Sequence, residues 1–163
     1  MKKPAVTLRA ATQNDRKDIW HWRNCPQARK NSFNSKPVLW REHKKWFDSK
    51  FRSRKVKIYI AEQGTRKVGV IRFEGKRKLS TVSINLNPAF FGRGLGSKII
   101  KIGTIKFLSE RLGIAKVMAE IISDNMASQK AFEKAGYVFT RKIQKNGINA
   151  DIYKFNERVT GVF

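Results

Sequence analysis

The residues best suited to chemistry in this chain are three glycines in Asn87-Pro-Ala-Phe-Phe-Gly-Arg-Gly-Leu-Gly-Ser97, where Gly92, Gly94 and Gly96 fall at every second position. Glycine accepts the left-handed backbone of a tight turn and has no Cβ to cover the peptide N–H groups. Where such a turn opens a helix, its N–H groups converge at the positive end of the helix dipole and form a nest for an anion without help from side-chain charge. A pyrophosphate suits that nest, so the loop points to a coenzyme that carries a diphosphate. Glycines before helices also serve plain turn geometry, so the loop takes its meaning from the elements around it.

Thr81 to Leu86 reads as a strand leading into the loop, with Val82, Ile84 and Leu86 on one side. Ser97 to Leu112 reads as the helix leaving it, closed by Gly113. Upstream, Ala5 to Ala10 alternates as a strand, and Thr12-Gln-Asn-Asp15 resembles a capping box for a helix running to Asn24. A short basic helix or turn follows Pro26, and the spacing of Trp40, His43, Trp46 and Phe47 predicts one face of a helix over 40–51. Lys57 to Glu62 and Lys67 to Glu74 read as strands about a Gly64 turn. Downstream come a strand over Lys116 to Ile122 and a helix capped by Ser123 or Asp124 that stops at Gly136. A hairpin then pairs Tyr137 to Gln144 with Asn149 to Phe155 across Asn146-Gly147. In the order β-α-α-β-β-β-α-β-α-β-β, one helix joins the strand before the glycine loop to the strand at 116–122. Those two are therefore expected as parallel neighbours in an otherwise largely antiparallel sheet.

With 163 residues and 40% hydrophobic content, the chain has the size and composition of a single domain over 1–163 that folds without disulfides or metals. The single cysteine, Cys25, has no partner for an internal disulfide or a thiol metal site, and no metal is expected. No apolar run reaches the length of a membrane span, and no apolar segment follows the basic start, so a soluble cytoplasmic protein is expected, as monomer or homodimer. Lys+Arg 36 against Asp+Glu 12 gives a net charge of +24, more than a diphosphate coenzyme requires. Non-specific, salt-sensitive binding to nucleic acid is expected from that charge whatever the function.

Four features in order resemble the GNAT (Gcn5-related) N-acetyltransferases over nearly the whole chain. They are Asn87-Pro88 with Phe91-Gly-Arg-Gly-Leu-Gly96, Ala119-Glu120 ending the next strand, Asn125-Met-Ala-Ser128, and Ala131-Phe-Glu-Lys-Ala-Gly-Tyr137. The resemblance implies a mixed α/β (α+β) fold with a mostly antiparallel sheet of six to seven strands, helices on both faces and two splayed central parallel strands. It also implies acetyl-CoA as donor and transfer to a primary amine. Residues Phe91, Gly92, Arg93, Gly94, Leu95, Gly96 and Ser97 would then hold the pyrophosphate. The exposed backbone of Ile84 to Leu86 would pair with pantetheine, and the Leu86 N–H would serve as oxyanion donor. Asn125, Ser128 and Phe132 would contact the coenzyme arm. The chain departs from the family pattern at three places: Phe91 replaces the usual Gln or Arg, Phe132 replaces a thiolate-protonating Tyr, and Thr81 replaces a basic-catalyst Glu. Glu120 is the first choice for the proton acceptor and His43 the second, whereas His21 and Tyr137 read as surface or packing residues.

The region Trp22-Arg23-Asn24, Arg29, Ser32-Phe33-Asn34, Glu42-His43 and Trp46-Phe47 resembles the GNAT subgroup that acetylates nucleotide-linked amino-deoxysugars of the pseudaminic and legionaminic acid type. A UDP-sugar acceptor needs cations for its diphosphate and an aromatic platform. Trp22, Arg23, Asn24, Arg29, His43 and Trp46 are the candidates to supply them. The alternatives are a protein N-terminal acetyltransferase of the ribosomal-protein type and a non-catalytic acyl-CoA-sensing or nucleic-acid-binding module.

Overall fold

A computed structural model describes residues 4–156 apart from 77, 112 and 115, together with the backbone but not the side chain of residue 76. Seven strands form one sheet in the order β1-β2-β3-β4-β5-β7-β6. They are β1 (Val6–Ala10), β2 (Val56–Gln63), β3 (Arg66–Lys76), β4 (Leu79–Leu86), β5 (Lys116–Ile122), β6 (Tyr137–Lys145) and β7 (Ile148–Phe155). Among the described residues five α-helices accompany them: α1 (Arg16–Asn24), α2 (Pro26–Lys30), α3 (Trp40–Arg52), α4 (Leu95–Glu110) and α5 (Met126–Lys134). β4 and β5 are the parallel pair and every other pairing is antiparallel, as the single-helix crossover requires.

Period-2 alternation gives the sheet two apolar faces. Tyr59 and Ala61 of β2 join Phe73, Val82, Val117, Ala119 and Ile121 in a core with Ile99, Ile100, Phe107 and Phe132 of α4 and α5. Ile58 and Ile60, their neighbours along β2, pack on the opposite side with Ile19 and Trp22 of α1 and Phe47 of α3. Close approach of α4 depends on Gly103, where an added Cβ would lie 2.8 Å from Ile71 Cδ1. That approach brings the Phe107 ring into a stack on Phe73 with centroids 4.4 Å apart.

Several boundaries differ from those the sequence suggests. α4 begins at Leu95 rather than Ser97, because Gly94, at φ +69°, is already its N-cap. The predicted end at Leu112 lies outside the described residues, and the helix ends at Glu110. α5 is capped by Asn125 rather than Ser123 or Asp124, since the Asn125 Oδ1 accepts the Ser128 N–H at 3.2 Å while the Ser123 hydroxyl donates to Asp151. In front of α1, a single 3-10 turn over Gln13–Asp15 carries the expected capping box. Asp15 is almost fully buried and accepts from Arg9 at 2.7 and 2.9 Å, from the Thr12 N–H at 2.8 Å and from Lys67 at 2.8 Å. That cluster fastens the turn to β1 and β3.

Candidate active site

The glycine loop is built as an open cradle. A 3-10 turn over Pro88–Phe90, started by Asn87 Oδ1 accepting the Ala89 N–H, turns the chain away from β4. Gly92 and Gly94 then take φ values of +72° and +69°, and an added Cβ at either would meet nothing within 4 Å. Gly96 differs, lying in the first turn of α4, where a Cβ would touch Ala131 Cβ at 3.7 Å and Leu86 Cδ1 at 3.9 Å. Among the described residues, no turn hydrogen bond uses the N–H groups of 92–94. Those groups, with the first-turn amides of α4, are available to an anion. Phe91 and Arg93 are exposed, the latter lying over the Phe90 ring at 4.9 Å, and Ser97 Oγ donates back to the Gly94 carbonyl at 3.3 Å.

Next to the loop the sheet divides. β5 pairs with β4 only at Leu79↔Lys116, Ser80↔Val117 and Thr81↔Met118, beyond which it pairs with β7 alone. The Asn87 N–H donates to the Val68 carbonyl across β3 at 3.0 Å, so alternation turns the backbone groups of Ser83 and Asn85 toward β3 as well. Ile84 and Leu86 present theirs to the β5 side, where no strand stands opposite. A diphosphate coenzyme with an amide-bearing arm fits this pair of features, the anion cradle and the unpaired strand edge continuing from it.

The gap opens into a cavity of about 550 Å³. On the α5 side it is lined by Asn125, Ser128 and Phe132. Asn125 Nδ2 donates to Ser128 Oγ at 2.9 Å, and Phe132 packs edge-on to Tyr137 with centroids 4.9 Å apart. On the other side stand Arg23, the 31–34 segment, His43, Trp46, Arg72, Glu120 and Lys145. Glu120 forms an ion pair with Lys145, whose ammonium also lies 4.9 Å from the Phe33 ring centroid. His43 is buried between Trp40, Trp46 and Phe47, and its Nε2–H donates to the Arg16 carbonyl at 2.9 Å. Burial lowers its pKa, and the nearby Arg16 charge acts in the same direction against the Arg16 carbonyl bond.

The acceptor candidates divide into two groups. Arg23, His43 and Trp46 line the cavity, and Arg23 Nη2 donates to the Asn34 carbonyl at 2.6 Å. Trp22 is 6% exposed in the α1–α3 core, which gives it a packing role rather than that of a platform. Asn24 clamps Val38 from both sides, accepting its N–H and donating to its carbonyl, each at 2.8 Å. Arg29 is not in the cavity wall and acts on Arg23 only through its charge. Tyr137 is buried with its hydroxyl 2.7 Å from Thr104 Oγ1, and burial raises its pKa, as befits a core residue. Sequence reading missed Arg72 and Lys145. Both look like the solvent-facing cations of alternating strands, and only the topology brings them to the gap.

A mixed sheet parted at its one parallel pair, with an anion cradle at the head of the gap, defines a coenzyme-dependent group-transfer domain. The model of the acetyltransferase (GNAT) domain matches residues 5–138, and the chain belongs to that family. Family membership makes this an N-acetyltransferase domain with acetyl-CoA as its donor. The chain is 31% identical over 140 residues to the "Putative phosphinothricin acetyltransferase" of Bacillus subtilis, covering 81% of this chain and 83% of that one. It is also 29% identical over 148 residues to an uncharacterized protein of Methanocaldococcus jannaschii, covering 86% of this chain but spanning only 30% of that protein's length. Among solved structures, AAC(6')-Ib in complex with Parmomycin and AcetylCoA superposes with a TM-score of 0.81 at 17% identity, covering 97% of each chain, a likeness of fold.

Proposed function

We propose that this chain transfers the acetyl group of acetyl-CoA directly to the amine of a nucleotide-linked amino sugar. The observation that carries the reading is the content of the cavity beyond the gap. There the half-buried indole of Trp46 stands beside Arg23 and Arg72, two arginines that form no ion pair among the described residues. A sugar diphosphate supplies both an apolar ring face and the missing negative charge.

Acetyl-CoA supplies an acetyl thioester, whose carbonyl carbon takes the amine nitrogen while its sulfur leaves as the thiol. The loop amides and the first turn of α4 would hold the diphosphate, and the unpaired edge of β4 would align the pantetheine arm as a further strand. The Leu86 N–H, unpaired and at the head of the gap, would donate to the thioester oxygen. Glu120, at the gap and paired with Lys145, would take the amine proton. His43 has Nε2–H committed to Arg16, which leaves Nδ1 as its proton-accepting atom.

Coenzyme A release measured with a UDP-4-amino-4,6-dideoxy sugar, with Ala- or Ser-initiated peptides and with phosphinothricin tests the reading. Turnover is expected with the nucleotide sugar. Turnover with peptides or phosphinothricin alone overturns it.

A further inference from the structure

Arg72 is the residue of the cavity whose chemistry is least explained by the fold. It projects from β3 into the cavity wall, and its guanidinium lies over the Trp46 ring at 4.9 Å from the centroid. Among the described residues nothing accepts a hydrogen bond from it. Glu74, two residues along the strand, acts on it only through space and is itself bound to Lys50 at 2.5 Å. Burial lowers its pKa. A partly desolvated guanidinium with no acceptor is a cost to the free protein. Unlike Arg23 Nη1, which is sealed without a partner, the Arg72 guanidinium nitrogens keep some exposed surface. Arg72 therefore keeps its donors open to the cavity.

The other charges in the cavity do not neutralise it. Glu120 is engaged by Lys145, and Glu42, which accepts the Leu39 N–H at 3.3 Å and keeps its charge, offsets only one of the two arginines. Arg23 has a single acceptor, the Asn34 carbonyl. The wall that faces the acceptor thus carries an excess of positive charge, which repels an amine bearing several ammonium groups and attracts one bearing an anion.

We infer that Arg72, held over the Trp46 ring, is the specificity-determining residue of the acceptor site, donating in a bidentate manner to a phosphoryl group carried by the amine substrate. This rests on the proposed function for the site and adds the group recognised and the residue that recognises it. A planar fork held over an indole suits a phosphoryl group, whereas a lysine there would retain charge but lose the paired donors.

The test is calorimetric titration of UDP and of uridine into protein saturated with coenzyme A, which keeps UDP out of the glycine loop. Wild type is expected to bind UDP at least tenfold more tightly than uridine. Arg72→Gln should lose roughly ten- to hundredfold in UDP affinity while binding uridine unchanged, with Arg72→Lys falling between them. The melting temperature of ligand-free Arg72→Gln should equal or exceed that of wild type, because an uncompensated cation has been removed. Equal UDP affinity in wild type and Arg72→Gln, or spermine acetylated with a kcat/KM above that of phosphorylated amines, overturns the inference. Arg72-dependent UDP binding without acetylation of UDP-amino sugars would sink the proposed function and leave the role of Arg72 standing. Acetylation of such sugars by Arg72→Gln with unchanged KM would do the reverse.

Discussion

Glu120 and Lys145 form an ion pair in the cavity wall, and in the proposed mechanism Glu120 takes the proton of the amine. Glu120→Gln removes the acceptor and keeps the shape, so kcat is expected to fall about a hundredfold while coenzyme affinity stays the same. A wild-type rate and pH profile in that variant would move the role to His43 or a water chain. Asp15 matters to the fold in a different way. Burial alone would raise its pKa, yet hydrogen bonds from Arg9, Lys67 and the Thr12 amide outweigh that and hold the carboxyl well below the usual range. Since the folded value lies below the unfolded one, the stabilisation is complete above pH ~4 and is lost as the pH falls further. Asp15→Asn is expected to cost about 2 kcal/mol at neutral pH, because Arg9 and Lys67 lose their shared buried partner while keeping Glu62 and Asp18, and to flatten the acid limb of the stability curve. Denaturant melts of both proteins between pH 3 and 7 measure this.

At the scale of elements, the glycine loop separates its own residues by role. Gly96→Ala should bind coenzyme nearly as wild type does, because its Cβ meets only ordinary contacts at 3.7 and 3.9 Å. Gly96→Glu should lose coenzyme binding by forcing bulk against Ala131 and Leu86 and a carboxylate beside the anion nest, and unaltered affinity would remove the loop from the site. Much of this was legible from local pattern. The alternation of Val82, Ile84 and Leu86 and the Asn146-Gly147 turn each have one physical reading, the glycine loop took its meaning from the strand and helix beside it, and the parallel pair followed from a single helix between two strands. Side-chain direction was less legible. Trp22 and Trp46 have the same chemistry in sequence, but one faces the α1–α3 core and the other the cavity. Asn24 had the look of a ligand contact and proved to be the clasp that holds Val38. Arg72 could not be distinguished from the other cations of an alternating strand until β3 was placed beside the gap.

For the molecule as a whole, the charge of +24 is not used up by the site. A shallow depression of about 630 Å³, at the end of the sheet where α4 finishes, is lined by Lys50, Arg52, Arg54, Lys57 and Arg111. Affinity for single-stranded RNA is expected to fall linearly with salt on logarithmic axes, whatever the sequence of the RNA. Filter binding from 50 to 300 mM salt checks this, and a flat response would show that these cations do not track phosphates. The parting of β4 from β5 has a mechanical consequence. Three paired positions stitch a four-stranded leaf to a three-stranded one, so the sheet is a seam left open for most of its length. In the proposed binding mode a coenzyme arm lying along β4 would close that seam, and the donor would become in effect an eighth strand supplied from solution. The protein should then melt higher with each increment of coenzyme, by RT ln(1 + [L]/Kd). The amides that gain most protection from hydrogen exchange should be those of Ile84 and Leu86, which have no partner until it arrives.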